Sequence, residues 1–157
     1  MEEKKLHMKH AIDLAYSNVK ENKGGPFGAV VVRDGKIIGK GANLVTETND
    51  PTAHAEIVAI REAARNIGSF QLQGCEIYAS CEPCPMCLGA IYWARIDKLY
   101  YAATKDDASK ADFHDSTIYK EFALPKDQRA ISSLQLMRED AIKVFEHWNN
   151  SENKIEY

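Results

Sequence analysis

The sequence predicts an α/β fold, a three-layer α-β-α sandwich around a five-stranded mixed sheet. Segments of helical periodicity alternate with short apolar runs in the order α-β-β-α-β-α-β-α-β-α, and this alternation favours a sheet with helices on both faces. The 157 residues are 45% hydrophobic and 27% charged, a composition typical of one globular domain with one core. We therefore expect a single domain over residues 1–157, in which residues 150–157 form a C-terminal tail.

The N-terminal segment is predicted to be an amphipathic helix followed by a β-hairpin. Residues 4–21 place their apolar side chains roughly on one side of a helix, and Gly24-Gly25-Pro26 ends it. The apolar run from Val30 to Val32 indicates a buried strand. Asp34-Gly35 is a strong hairpin turn signal, so we expect the returning strand to begin at Ile37-Ile38.

The second predicted helix carries two of the residues on which the functional argument depends. Residues 46–51 are polar and predict a loop, after which Pro51-Thr52 begin the helix. The first turn of this helix contains His54 and Glu56. An apolar stripe follows them, and Gly68 ends the helix.

The remaining elements also alternate, and one of them carries two cysteines. A helix is predicted to begin with Cys84 and Cys87 and to continue to Ala94. The other predicted elements are strands at 75–80, 98–104 and 132–137, a polar loop at 105–114, a short helix from Asp115 to Phe122, and a last helix at 139–149 with Ile142, Phe145 and Trp148 facing inward.

His54, Cys84 and Cys87 have the residue types and the spacing of a zinc site. Zinc prefers nitrogen and sulfur ligands in a tetrahedron, and a catalytic zinc keeps one position for water, which three protein ligands leave available. The two cysteines lie three residues apart and share one face of a helical turn. At a helix N-terminus the dipole also favours the thiolates that zinc needs. We predict one Zn²⁺ per chain, bound by these three side chains.

Glu56 is the predicted proton carrier of this site. It lies two residues after His54 at the start of the same helix, so both side chains point into one space. The carboxylate can then reach a water molecule at the zinc without ligating the metal, and it can transfer protons. The alternative interpretation is a carboxylate that only interacts with the helix dipole.

Each half of this pattern has another interpretation by itself. A lone C-x-x-C is equally typical of a redox pair or of half a structural zinc ribbon. Both halves in this order, each at the start of a predicted helix, favour the catalytic interpretation.

The charge distribution argues against a nucleic-acid substrate. The formal net charge is −3, and no cluster of lysine and arginine stands out. A duplex or tRNA binder usually shows a basic face, whereas this balance favours a small molecule. We expect no membrane association, because there is no long apolar run and no charged-then-apolar leader. A C-x-x-C that binds zinc favours a reducing compartment, the cytoplasm.

Four stretches, together with the terminal Glu156-Tyr157, carry a resemblance to a known family: GGPFGAVVV, NDPTAHAEIVAIR, SCEPCPMCLGAIYWAR and DSTIYKE. The pattern H-x-E followed by P-C-x-x-C is the signature of the zinc nucleobase deaminases. The chain resembles the cytidine-deaminase-like superfamily over essentially its whole length. The third and fourth stretches and the terminal tyrosine resemble the bacterial guanine deaminase branch, whereas DPTAHAE and EPCPMC also occur in tRNA adenosine deaminases.

This resemblance implies a cytidine deaminase-like fold and a reaction. The implied reaction is hydrolytic deamination of guanine to xanthine and ammonia, in which zinc-activated water attacks C2 and Glu56 shuttles protons. The resemblance places Phe27 against the base, Asn43 on its polar edge and the Ala55 N–H near it. By residue type alone, Phe27 is equally an ordinary core aromatic and Asn43 a turn residue at a strand end.

Asp115 and Tyr157 resemble the residues that favour guanine in this branch, where the tail covers the active site. The alternative interpretations are a helix N-cap for Asp115 and a disordered terminus for Tyr157. The resemblance also implies a homodimer that acts on a small purine and in which the tail can be exchanged between the subunits. From the charge balance we expect no nucleic-acid partner.

Three classes of function stay open. The first is a free-base guanine deaminase. The second is another enzyme of the superfamily, acting on guanosine, on cytosine or on adenosine in tRNA. The third is a non-catalytic zinc-binding module, against which Glu56 argues because a structural zinc needs no poised carboxylate.

Overall fold

The computed structural model describes residues 1–113 and 116–157, which separate into two compact units, Met1–Ser116 and Thr117–Tyr157. The described helices are α1 (Glu2–Lys20), α2 (Val45–Thr48), α3 (Ala55–Ile67), α4 (Pro85–Trp93), α5 (Lys105–Ser109), α6 (Ser116–Ala123), α7 (Arg138–Asn149) and one 3₁₀ turn (Lys126–Gln128). The strands are β1 (Gly28–Arg33), β2 (Lys36–Ala42), β3 (Cys75–Cys81) and β4 (Lys98–Ala103). A search of these residues finds no helix with the length and apolar character that crossing a membrane requires.

The sheet is mixed, as predicted, but over the described residues it has four strands rather than five. The strand order is β2-β1-β3-β4. β1 pairs antiparallel with both β2 and β3, whereas β3 and β4 are parallel. The Asp34-Gly35 turn joins β1 to β2 as expected, and both residues have positive φ, 50° and 73°. The predicted α/β class with a mixed sheet is therefore confirmed, and its predicted size is wrong.

Helices cover both faces of this sheet within the first unit. On one face Ala11 of α1 packs with Val30, Val32 and Tyr78. On the other face a larger core joins the sheet to α3 and α4, and its buried residues include Ala29, Val31, Ala55, Ala59, Ile77 and Ile91. The alternation of side chains along β1 explains why successive valines serve different cores.

Two glycines of β2 bring α3 unusually close to the sheet. A Cβ atom at Gly41 would lie 2.0 Å from the carbonyl oxygen of Ala55, and one at Gly39 would lie 2.4 Å from that of Ala59. Since these carbonyls belong to α3 itself, the helix backbone rests directly on the strand. The first turn of α3, and the residue before it, are thereby fixed relative to the sheet.

The predicted strand at 132–137 is the missing fifth strand. This segment has no regular secondary structure, and Leu134 and Leu136 are 83% and 74% exposed. Alternating apolar residues satisfy the local pattern of a strand, but a strand also needs a neighbouring backbone with which its amides can pair. Residues 132–137 have no ladder partner among the described residues.

Two segments predicted as polar loops contain short helices. Val45–Thr48 forms α2 within the first loop. Lys105–Ser109 forms α5, which begins with a capping box in which Thr104 accepts from the Asp107 N–H and the Asp107 carboxylate accepts from that of Thr104. The helix therefore forms on end-capping hydrogen bonds without an apolar stripe, which is why hydrophobic periodicity did not indicate it.

The second unit, Thr117–Tyr157, contains α6 beyond its first residue and all of α7. The helix predicted at 139–149 is present, but the prediction that its aromatic residues face inward is wrong. Phe145 is 68% exposed and Trp148 is also exposed. The apolar residues of α7 are thus largely exposed among the described residues.

Candidate zinc centre and pocket

The three predicted zinc ligands lie at the beginnings of two helices of the first unit. His54 is the residue immediately before α3, with extended backbone angles of φ −68° and ψ 156°. Cys84 occupies the same position before α4, at φ −66° and ψ 168°. The second helix begins with Pro85, whose fixed φ and missing N–H suit a first helical position. Both helices therefore start one residue after a ligand, and α3 starts later than the predicted Pro51-Thr52.

The ligand atoms have the separations of a zinc site. The Nδ1 atom of His54 lies 3.6 Å from Sγ of Cys84 and 3.5 Å from Sγ of Cys87. On a tetrahedron with Zn–N near 2.0 Å and Zn–S near 2.3 Å, a nitrogen and a sulfur ligand lie about 3.5 Å apart. These three residues form the metal-ligating cluster found in the described part of the chain, and they can hold one zinc ion.

The sulfur atoms of Cys84 and Cys87 are buried, and a hydrogen bond joins them. A hydrogen bond from the Cys87 thiol, followed by one from His54, lowers the pKa of Cys84 to about 4 despite its burial. The same bond raises the pKa of Cys87. Zinc ligation needs both sulfur atoms as thiolates, and the lowered pKa of Cys84 favours that form in one of them.

Glu56 is a buried carboxyl at the start of α3, with 8% of its surface exposed. Burial raises its pKa, and hydrogen bonds from its own backbone N–H and from Cys87 only partly oppose that effect. A carboxyl group in such a setting accepts a proton more readily than an exposed one. It lines the same pocket as His54 and Cys84, so it can exchange protons with a molecule bound there.

A cavity of about 680 Å³ opens over these residues. The predicted residues that line it are Phe27, Asn43, His54, Glu56 and Cys84. Cys87 lies beneath it, fully buried. Ala55 begins α3, and its N–H is one of the amides at a helix start for which the helix has no acceptor. The structure thus brings the predicted aromatic, amide, metal-ligating and acidic groups to one space.

Phe113 and Glu82 are among the residues of this pocket that were not predicted. The ring of Phe113 meets that of Phe27 edge-on, with centroids 4.8 Å apart. Glu82 also lines the cavity, and its Oε2 accepts a hydrogen bond of 3.1 Å from the Lys105 N–H. Phe113 is the one large apolar residue in the segment 105–114, which was predicted as a polar loop, and that is the signal that could have indicated it.

Asp115 and Tyr157 are the other two residues that were predicted to belong to the site. Asp115 lies outside the described residues, so its predicted role stays a prediction. Tyr157 ends the second unit and is 70% exposed. Its predicted role as a wall of the pocket also stays a prediction.

The profile of the cytidine and deoxycytidylate deaminase zinc-binding region matches residues 1–103 of this chain. The chain belongs to this deaminase family. The match spans His54, Glu56 and the two cysteines, and the geometry of His54, Cys84 and Cys87 agrees with the zinc binding that the family name describes. The cytidine deaminase-like fold predicted from the sequence is also that of its structural relatives.

Among full-length relatives of this deaminase-family chain is the guanine deaminase of Bacillus subtilis. The two sequences are 52% identical over 150 residues, which is 96% of each protein. The X-ray structure of that guanine deaminase superposes with a TM-score of 0.95 at 51% identity and covers 98% of both chains. A tRNA-specific adenosine deaminase of Buchnera aphidicola is 46% identical over 106 residues, 68% of this chain and 70% of that protein.

Proposed function

We propose that this protein is a zinc-dependent guanine deaminase that converts guanine and water to xanthine and ammonia. The observation that carries the proposal is the extent of the match to the B. subtilis guanine deaminase, which covers 96% of this chain. The tRNA adenosine deaminase match covers 68%. Similarity to the guanine enzyme therefore continues beyond the zinc-binding region, into the part of the chain where the branches differ.

In the proposed reaction Glu56 moves the protons. When bound by His54, Cys84 and Cys87, zinc would lower the pKa of a coordinated water molecule to roughly 7. Glu56 takes one proton from the attacking water and delivers it to ring nitrogen N3. It then takes the second proton from the hydroxyl group formed at C2 and gives it to the amine, so that the C2–N bond breaks, the C2=O bond forms and ammonia leaves. A buried carboxyl with a raised pKa suits this double role, because it accepts a proton more readily than an exposed carboxyl and can pass it on.

The pocket walls are proposed to orient the base. Phe27, held edge-on by Phe113, offers an aromatic face to a flat purine. The side chain of Asn43 can donate to and accept from the polar edge of the base, and the Ala55 N–H can donate nearby. We further propose that Asp115 and Tyr157 contribute contacts that favour guanine, as the resemblance to this branch implies.

We extend the proposal to the domain organisation, the cellular compartment and the oligomeric state of the protein. We propose that residues 1–157 work as a single deaminase domain, that the protein acts in the cytoplasm, and that it forms a homodimer with exchange of the tail between subunits. The exposed apolar residues of α7 support an association, since large exposed apolar patches mark interaction surfaces. The four cysteines are buried and form no disulfide among the described residues, which suits a reducing compartment. Sedimentation of a monomer at micromolar concentration would contradict the dimer.

Guanosine is the second candidate substrate, and the volume of the cavity supports it. About 680 Å³ is within the range of pockets that hold whole drug-sized ligands, so the walls of the first unit leave room for more than a base. A nucleic-acid substrate fits less well with a net charge of −3.

Ammonia release from guanine, guanosine, cytosine and adenine under identical conditions tests the proposal. The zinc-loaded protein is expected to turn over guanine with the highest kcat/KM and to yield xanthine. Glu56→Gln, prepared in parallel, controls for a contaminating deaminase. Turnover of another substrate with guanine left intact would overturn the assignment.

A further inference from the structure

Asn18 is a buried polar residue that lies outside the metal site and that the proposed chemistry does not use. It is on the last turn of α1, with 4% of its surface exposed. A side-chain amide in such a place needs partners for both of its N–H groups. The identity of those partners gives the residue a role.

The amide nitrogen of Asn18 joins the two segments that carry the predicted base contacts. Nδ2 donates to the carbonyl oxygen of Gly25 at 2.9 Å and to that of Asn43 at 2.9 Å. Gly25 lies two residues before Phe27, and Asn43 is itself a pocket residue. Both donors of the side chain are thus used to bring one wall of the pocket against the other.

The bonds around Asn18 extend to the pocket residues through the backbone. The Phe27 N–H donates to Gly25 O at 2.9 Å, and the Asn43 N–H donates to Phe27 O at 3.1 Å. The side-chain oxygen of Asn43 accepts from the Val45 N–H at 3.3 Å, which orients its amide. The ring of Phe27 and the amide of Asn43 are therefore set by one continuous hydrogen-bonded unit.

The packing at this point leaves no room for adjustment. A Cβ atom at Gly24 would lie 2.4 Å from Asn43 O and 3.2 Å from Asn18 Nδ2. Only a residue without a side chain allows the glycine-rich segment to approach β2 this closely. The spacing between the two walls consequently depends on the anchor that α1 provides.

We infer that Asn18 is a positioning residue for the purine, which fixes the distance between Phe27 and Asn43 and thereby sets substrate affinity. The inference rests on the proposed function for the identity of the ligand. It assigns to α1 a part in substrate recognition, although Asn18 contributes no atom to the metal centre. Removing the anchor should loosen both walls together and leave zinc and Glu56 in place.

The test compares Asn18→Ala and Asn18→Ser with the matched control Asn66→Ala. Asn66 makes the same type of bond, from Nδ2 to the carbonyl oxygen of Ile38 at 2.9 Å, at a place that does not line the pocket. For Asn18→Ala we expect the KM for guanine to rise about tenfold while kcat stays within about threefold and zinc content is unchanged. Asn18→Ser retains one donor and should fall between Asn18→Ala and the unmodified protein.

Backbone hydrogen exchange supplies a readout that needs no substrate. Exchange at residues 25–28 and 43–45 should rise in Asn18→Ala, and Asn66→Ala should leave it unchanged. Unchanged exchange there, or a KM equal to that of the Asn66→Ala control, overturns the inference. If Asn18→Ala does not fold, the same comparison is decided by Asn18→Ser. Failure of the unmodified protein to deaminate guanine would instead overturn the proposed function, and the exchange experiment would still decide the role of Asn18.

Discussion

At the scale of single residues, Glu56 differs from every other carboxylate in the pocket by its burial at the start of α3 beside the metal ligands. Glu56→Gln keeps the shape of the side chain but cannot shuttle protons near neutral pH. We expect normal zinc content and a fall in kcat of about 10² or more. Glu82→Gln is the matched control, since an amide oxygen can still accept from the Lys105 N–H. Near-normal turnover by Glu56→Gln, with zinc bound, would end the proton-carrier assignment.

Cys84 tests the ligand set in the same way. Cys84→Ala leaves His54 and Cys87 as the two remaining ligands of the described cluster. A zinc ion with two protein ligands is held much more weakly than one with three, so the purified variant should contain little metal. Elemental analysis measures this directly. Full occupancy in the variant would show that another residue completes the site.

The sequence predicted the chemical groups of the site better than it predicted the walls around them. His54, Cys84 and Cys87 were predicted from residue type and spacing, because the two cysteines lie three residues apart at one helix start and His54 lies at another. Phe113 was missed because its contact with Phe27 joins positions far apart in sequence, a relation that no local pattern contains. The same limit explains the absent strand at 132–137, where the local pattern is correct but no strand among the described residues pairs with it.

At the scale of secondary-structure elements, the close contact of α3 with β2 positions the first ligand. Gly41→Ala places a methyl group 2.0 Å from the Ala55 carbonyl oxygen, so the start of α3 must move. We expect weaker zinc retention and lower activity, with a loss of stability of about 1–3 kcal/mol from overpacking. Gly89→Ala is the matched control, because a Cβ there meets nothing within 4 Å in the middle of α4. Equal behaviour of the two variants would contradict this role of β2.

β3 carries a second testable feature, a hydrogen bond between two of its own side chains. Tyr78 Oη donates to Glu76 Oε2 at 2.7 Å, and this bond lowers the pKa of Glu76. A carboxyl group whose pKa is lowered by folding adds stability above its ordinary pKa of 4.5, and that stability is lost as the pH falls through the folded value.

Tyr78→Phe should therefore cost about 1–2 kcal/mol at pH 7 and less at pH 3. The phenyl ring can keep its stacking on Tyr100, whose ring centroid lies 4.7 Å away. Urea unfolding of both proteins at the two pH values measures the difference. Zinc loss at low pH affects the two proteins alike, so it cancels in the comparison. An equal cost at both values would show that the bond to Glu76 contributes no pH-dependent stability.

At the scale of the whole molecule, a deletion tests the predicted role of the C-terminal tail as a cover over the pocket. Deleting residues 151–157 should preserve zinc content and folding, because these residues are almost entirely exposed. If the tail covers the pocket, its loss admits bulk water, lowers kcat/KM for guanine and reduces discrimination against guanosine. Tyr157→Ala separates the aromatic contact from the rest of the segment. Full activity and unchanged selectivity of the truncated protein would place substrate choice elsewhere, with Asn43 and Asp115 the next residues to test.

A zinc ion bound by both His54 and Cys84 would join two positions that are far apart along the chain. His54 and Cys84 are 30 positions apart, and the whole of β3 lies between them. An ion held by both closes this stretch into a ring, which removes conformational freedom that the open, unfolded chain would otherwise have. Metal supply then acts on the lifetime of the protein as well as on its turnover, since a chain without the ion pays the full entropy of ordering that ring. Scarcity of zinc would on this basis reduce the amount of folded protein, and not only the activity of each molecule.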